Sequence, residues 1–284
     1  MSIVKQYSQA WDSYELIDAG GGKKLERFGE LILIRPELQA YFKSEIPFTK
    51  WDEMADWEFV EDKKKGYWKN IHSKENLATV WDASYKGLEI KLELTKFKHI
   101  GLFPEQNSNW ETITQKLQKG DKFLNLFAYT GAASLVAKQA KAEVFHVDSV
   151  KQLISWAKEN MEKSELSDIK WVLEDALKFA QREVKRGNKY DGIIMDPPAF
   201  GLGAKGEKWI LEEKLPFLLE AASQLLNKNG FLIVNTYSPK ITLKQLENIA
   251  TRFFDKSEIS LTELWMKTKT GKDLFYGNVL KVQK

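Results

Sequence analysis

Five short apolar runs, each separated from the next by a stretch with helical period, constrain this chain more than any other feature. KFLNLFAY, AEVFHVD, IKWVLED, YDGIIMD and GFLIVNTYS follow one another after residue 120, and between them lie TGAASLVAKQA, VKQLISWAKENMEKSEL, ALKFAQREVKR and ILEEKLPFLLEAASQLL. Nearly continuous apolar strands alternating with helices read as a parallel sheet covered on both faces. In the second helical stretch Leu153, Ile154, Ala157 and Met161 fall on one face, as packing against a sheet requires. The last two segments, SEISLTELWMKT and DLFYGNVLKVQ, have no helix between them and are expected to close the sheet as an antiparallel pair. The fold class is therefore α/β.

The chain before residue 96 has a different rhythm. YELIDAG, the Gly20-Gly21-Gly22 turn, ERFGELILIRP, ATVWDAS and the alternating LEIKLEL predict a small, β-rich antiparallel domain over 1–95, with the α/β domain over 96–284. Charge divides along the same line. Residues 1–95 carry 14 Lys+Arg against 17 Asp+Glu, whereas residues 96–284 carry 29 against 23, so a polyanion is expected to meet the second part. The run Glu61–Lys65 before Tyr67 and Trp68 reads either as a basic-aromatic nucleic-acid patch or as a solvated hairpin tip, and the flanking acids favour the tip. No cysteine is present, which removes disulfides, thiolate metal sites and thiol nucleophiles together. With no apolar run of about 18 residues and no leader-like start, the expectation is a soluble cytoplasmic protein without a membrane partner. Oligomeric state is not legible, and a homo-oligomer is left open.

Ligands of an open parallel sheet bind beyond the carboxyl ends of its strands. The residues there form an ordered series: Asn125 to Gly131, Asp148, Asp175, Asp196 and Asn235 to Ser238. Folding alone does not require an acid at the end of three successive strands. Asp148 lies seventeen residues beyond Gly131, a spacing that suits a carboxylate accepting from both hydroxyls of a ribose; its alternative is an N-cap for a helix beginning near Val150. Asp175 suits an adenine amino group or, again, a cap. The loop Phe127-Ala128-Tyr129-Thr130-Gly131 has one glycine where a dinucleotide site wants G-x-G-x-x-G, so a nucleoside without phosphate fits better than a nicotinamide dinucleotide. His99 has no companion at ligand spacing, and no metal is expected.

The fourth strand ends in DPPAF. Pro197 and Pro198 fix φ and lack an N–H, which holds the turn rigid and is expected to leave carbonyls free to face a site. Asp196 adds an acceptor, and Phe200 adds a ring on which a planar group can stack. Gly201, Gly203, Gly206, Lys205 and Lys208 follow as a basic loop that either meets phosphate or is plain surface.

With NLFAYTGAAS, Asp148, Asp175 and DPPAF in this order, residues 97–284 resemble the class I S-adenosylmethionine-dependent methyltransferases. More narrowly, FKHIGLFPEQ, NLFAYTG and DPPAF are similar to the bacterial large-subunit ribosomal RNA methyltransferase family that includes cytosine-C5 and guanine-N7 enzymes, whose members place a small β-rich domain before the catalytic one. The resemblance implies a Rossmann-like class I methyltransferase sheet, S-adenosyl-L-methionine as cofactor and RNA as substrate. It implies cofactor contacts from Phe97, Phe103, Pro104 and Gln106 at the methionine end, whose alternative is a packed interdomain linker, from Asn125, Phe127, Ala128, Tyr129, Thr130 and Gly131, and from Asp148, Ser149, Asp175 and Ala176. It places Asp196, Pro197, Pro198 and Phe200 at the acceptor. In methyltransferases with (Asp/Asn)-Pro-Pro-aromatic motifs the acid or amide and a proline carbonyl hold the target amine; here Ala199 intervenes before the ring, as it does in the ribosomal RNA family. That family methylates cytosine C5 through a cysteine. None exists here, so the expectation is direct transfer to a base nitrogen. Methylation of a protein or small molecule, and a non-catalytic RNA-binding factor on the same fold, are the alternatives.

Overall fold

The computed structural model of the chain describes residues 3–62, 65–202 and 208–284. Packing divides the chain into two compact units, one made of Tyr7–Asn107 with Trp265–Tyr276 and the other of Met1–Gln6 with Ser108–Leu264 and Gly277–Lys284. This division differs from 1–95 and 96–284 in three places. Residues 1–6 count with the α/β unit. Residues 96–107 count with the β-rich unit, and so does the tip of the last hairpin, a long-range association that local sequence pattern does not encode.

After β1 (Val4–Ser8), the β-rich unit contains β2 (Tyr14–Gly20), β3 (Lys23–Phe28), β4 (Leu31–Pro36), α1 (Phe48–Met54), β5 (Trp57–Asp62) and β6 (Lys65–Asn70), followed by the hairpin β7 (Val80–Tyr85) and β8 (Leu88–Glu93). The turn between β2 and β3 takes positive φ at both Gly21 and Gly22, as a tight hairpin needs to match the twist of its strands. Strands β2 to β6 form one sheet in chain order. It is not wholly antiparallel as expected: β4 pairs with β5 in parallel. A parallel pair needs a crossover, and α1 supplies it by burying Trp51 against Ile17, Leu25 and Ile34. Lys63 and Lys64 of the Glu61–Lys65 run lie outside the described residues.

The second unit holds α2 (Asn107–Lys116), β9 (Lys122–Leu126), α3 (Ala132–Gln139), β10 (Glu143–Asp148), α4 (Lys151–Lys163), β11 (Ile169–Leu173), α5 (Ala176–Lys185) and β12 (Tyr190–Met195). It continues through β13 (Phe200–Leu202), β14 (Lys208–Ile210), α6 (Leu211–Leu225), β15 (Leu226–Thr236), α7 (Leu243–Ala250), β16 (Ile259–Lys267) and β17 (Asp273–Gln283). The large sheet runs β1-β16-β17-β15-β12-β9-β10-β11. Strands β9 to β12 and β15 are mutually parallel, and β17 closes against β15 in the antiparallel sense. From β9 the chain moves outward through β10 and β11, then returns to the other side of β9 with β12. The switch point, where such sheets open a crevice for ligands, therefore lies between β9 and its neighbours. Leu124, Val147, Ile193, Leu218 and Leu232 anchor the core beneath it.

Candidate active site

Strand register brings the sequence-predicted residues to one level. Leu126 pairs with Val147 on one side and Met195 on the other, and Met195 pairs with Val234. The next residue on each strand, Phe127, Asp148, Asp196 and Asn235, therefore stands in a row along the carboxyl edge.

Asp148 ends β10 and is 8% exposed. One of its oxygens accepts the backbone N–H of Tyr129 and the other that of Val150, each at 2.9 Å. Burial raises its pKa, against the lowering effect of the Val150, Tyr129 and Ser149 amides. It is not the N-cap expected as its alternative role. Helix α4 starts at Lys151 with Val150 at the cap and no side-chain cap bond. A carboxylate has about four lone-pair sites, so Asp148 keeps capacity for a further donor beside these backbone amides. Exposed Ser149 follows it.

Asp175 does cap its helix: it accepts the Lys178 N–H at 2.9 Å at the start of α5. Ala176 is packed into the core. Two apolar residues that sequence reasoning missed sit close by along the chain. Val150 is 42% exposed and Leu173, paired with Asp148 across β10 and β11, is 56% exposed. Both are apolar residues left in solvent, and sequence alone does not reveal exposure.

The loop after β9 is bent by three consecutive odd positions in the left-handed region: Phe127 (φ 59°), Tyr129 (φ 52°) and Gly131 (φ 93°). Gly131 opens α3, where an added Cβ would stand 3.1 Å from the Ala157 Cβ. Buried polar groups hold the loop from below. Asn125 donates to the Ser134 hydroxyl at 2.9 Å, Ser134 Oγ lies 3.1 Å from His146 Nδ1, and Asn160 donates to the Thr130 carbonyl at 2.9 Å. Burial pushes His146 down to about 3, so it is neutral here. Asn160 was not foreseen: it occupies the α4 face that Leu153 and Met161 were expected to share with Ile154 and Ala157. Ala128, Thr130 and Asn125 are buried, while Phe127 and Tyr129 are half-buried.

At the end of β12, Pro197 is buried while Pro198, Ala199 and Phe200 are exposed, Phe200 at 61%. Phe200 does not hang on a free loop. It begins β13, which pairs with β14 so that Phe200 faces Ile210 and Gly201 faces Trp209. The carbonyls of this turn are not all free, as the prolines alone suggested. The Pro198 oxygen accepts the indole N–H of Trp209 at 2.7 Å, and the Ala199 oxygen accepts Leu211 N–H at 3.1 Å. The Trp209 ring also meets the Phe127 ring edge-on, centroids 5.0 Å apart, an arrangement that contributes about 0.5–1.5 kcal/mol beyond burial. Asn235 accepts from Asn109 at 2.9 Å, and Ser238 donates to Glu212 at 2.7 Å, which fixes the segment after β15 where no cysteine stands. Gly203, Lys205 and Gly206 of the basic loop lie outside the described residues.

The remaining predicted residues fall in the β-rich unit. Phe97 is exposed, the Phe103 ring meets His99 at a tilt with centroids 5.3 Å apart, and Pro104 and Gln106 are buried in a short 3₁₀ turn. His99 is pushed down to about 4 by burial and by Arg35, Lys98 and Lys24, and so is not cationic near neutrality. Among the described residues no group of three or more His, Asp or Glu side chains is placed to hold a metal, and no helix is long and apolar enough to cross a membrane.

Comparison with known proteins gives a consistent result. Residues 65–255 match the profile of the S-adenosylmethionine-dependent methyltransferases. The chain is similar to the ribosomal RNA large subunit methyltransferase K/L of Pseudoalteromonas atlantica, 30% identical over 174 residues that make up 60% of this chain and 24% of that protein. It thus spans about a quarter of the length of the curated relatives it matches. Among solved structures, the SAM-dependent methyltransferase from Agrobacterium tumefaciens is 35% identical with a TM-score of 0.92, covering 100% of this chain and 94% of that one. The structure of SMU.776 complexed with SAH shares the fold, at 18% identity and a TM-score of 0.77 over 96% of this chain and 75% of that one.

Proposed function

This chain belongs to the S-adenosylmethionine-dependent methyltransferase family, and from that premise we propose that it methylates a base nitrogen of RNA, ribosomal RNA in the first instance, by direct transfer. S-adenosylmethionine, when bound, supplies a methyl group already activated on a sulfonium. The residues at the carboxyl edge fit that molecule. Asp148 is a desolvated carboxylate with spare lone pairs, suited to the paired hydroxyls of a ribose. Val150 and Leu173 offer apolar surface to a purine, and the single-glycine bend Phe127 to Gly131 brings backbone close without a phosphate cradle. Asp175 spends one oxygen on its helix cap and keeps the other for an amino group, the role proposed for it at the adenine edge.

At the acceptor, the task of the protein is positioning, since a pre-activated methyl group needs chiefly a correctly held nucleophile. Asp196, at the end of β12, is the acceptor for an N–H of the target base. For an exocyclic amine it also takes the proton that transfer releases, while a ring nitrogen with a free lone pair needs no base. Pro197 and Pro198 fix the backbone that carries it. The observation that carries the reading is Phe200. A large ring 61% exposed, held by a paired strand and placed four residues beyond Asp196, is a stacking platform for a planar acceptor. The absence of cysteine excludes a covalent thiol adduct, which supports nitrogen over pyrimidine C5 as the target.

The test is transfer of tritiated methyl from S-adenosylmethionine into an extract of a strain lacking the gene. Label that ribonuclease removes supports the proposal. Label that only protease removes, or label confined to small molecules, overturns it.

A further inference from the structure

We propose that Trp209 is a positioning residue that couples the loop after β9 to the Asp-Pro-Pro turn after β12, so that cofactor occupancy beside Phe127 sets the geometry of the segment from Asp196 to Phe200. The inference rests on the reading of this edge as a methyltransferase site. It goes beyond that reading by assigning a role to a residue outside the site residues predicted from the sequence.

One side chain makes both links. The indole ring packs edge-on to Phe127, centroids 5.0 Å apart, while the indole N–H donates to the Pro198 carbonyl at 2.7 Å. A residue that merely filled this part of the core would need a ring and no donor. Trp209 is 9% exposed, so the bond is shielded from competing water. Its neighbours tie the same segment to the turn. Trp209 lies opposite Gly201 in the β13–β14 pair, Ile210 lies opposite Phe200, and Leu211 N–H holds the Ala199 carbonyl at 3.1 Å. The exposed turn is therefore pinned at two successive carbonyls, one by the indole on β14 and the other by the first N–H of α6. On the other side, Phe127 is a non-glycine residue at φ 59°, a conformation that persists only when its surroundings enforce it. A ligand that orders the loop around Phe127 orders the indole, and through its N–H the turn that carries Asp196 and Phe200.

The experiment is hydrogen exchange on the full chain, with and without S-adenosylhomocysteine, in the wild type and in Trp209→Phe, with binding followed by calorimetry. In the wild type, saturation with S-adenosylhomocysteine is expected to slow exchange at the Phe200, Gly201 and Leu211 amides by about threefold or more. In Trp209→Phe, which keeps the ring and loses the donor, affinity is expected to stay within about threefold while the ligand-dependent slowing disappears. A purely structural role would raise exchange equally with and without ligand and leave the difference intact. Phe127→Leu, which cuts the other link, is expected to lose the same difference at saturating ligand, so the outcome does not hang on one variant folding. The proposal is overturned if Trp209→Phe retains the wild-type difference, or if the wild type binds S-adenosylhomocysteine and shows none. A wild type that does not bind S-adenosylhomocysteine at all would instead sink the cofactor reading, and this proposal with it.

Discussion

The carboxylate of Asp148 accepts the backbone N–H of Tyr129 at 2.9 Å, which ties the end of β10 to the bent loop that follows β9. The same group that is proposed to hold a ribose thus also sets the shape of the loop beside it. Its second oxygen holds the Val150 amide, so neither oxygen can become a donor without facing an N–H.

Asp148→Asn is accordingly expected to be more damaging than its size suggests. Whichever way the amide is turned, its NH₂ opposes a backbone donor, at a cost of about 1–3 kcal/mol in stability. Loss of charge-assisted bonds to a ribose should weaken S-adenosylhomocysteine binding by about two orders of magnitude, read by calorimetry. Binding within threefold of wild type would remove Asp148 from the cofactor site.

Phe200→Ala is expected to separate binding from transfer. The ring is largely exposed, so thermal stability should change by no more than about 0.5 kcal/mol and S-adenosylhomocysteine affinity should hold. Methyl transfer to RNA should fall by about tenfold or more, because stacking on an aromatic contributes about 1–3 kcal/mol per base. Equal loss of cofactor binding and transfer would contradict this division of roles.

Gly131→Ala tests the bend. At φ 93° a side chain is strained, and the new Cβ would stand 3.1 Å from the Ala157 Cβ in α4. Chemical denaturation should show a loss of about 1–3 kcal/mol, accompanied by weaker S-adenosylhomocysteine binding, since the loop cannot keep its path. Unchanged stability would mean the bend relaxes without cost.

Glu105, in the β-rich unit, gives a pH signature. Burial pushes its carboxyl up to about 7, opposed by Lys24 and Arg35 and reinforced by Glu26. A carboxyl whose folded pKa exceeds its unfolded value binds more protons when folded. Its stabilising contribution is therefore full below about 4.5 and is lost as pH rises through about 7, by up to about 3 kcal/mol. Glu105→Gln should remove this dependence, so its stability relative to wild type should grow between pH 5 and pH 8 in urea titrations. The difference between the two proteins isolates Glu105 from His146 and His99, which are held neutral and so favour the folded state at higher pH. A constant difference across that range would show that Glu105 titrates normally.

The row of residues at the carboxyl edge was legible in the sequence because each follows directly on an apolar run. Reading the residue after each apolar run singled out Asp148 and Asp196, and the register sets them level with Phe127 and Asn235. Asp175 was legible only as an ambiguity, and its cap bond to Lys178 is a fact of local geometry. Helix α1 was missed because seven residues of mixed composition carry too little periodicity, and its crossover made β4 and β5 parallel. Asn160 was missed because a polar residue on a helix reads as solvent-facing until its partner, the Thr130 carbonyl, is known.

The sequence by itself determined the α/β alternation, the acids at the strand ends, the stiff Asp-Pro-Pro turn and the lack of a thiol, because each follows from local residue chemistry and short-range period. Only the tertiary structure decided what those residues touch. That the Pro198 carbonyl is bound by Trp209, that this indole rests on Phe127, and that Val150 and Leu173 stay exposed beside a buried carboxylate all depend on which distant segments pack together. Hydrogen-bond partners and burial are properties of pairs across the chain, and a single sequence states the members of such pairs without stating the pairing.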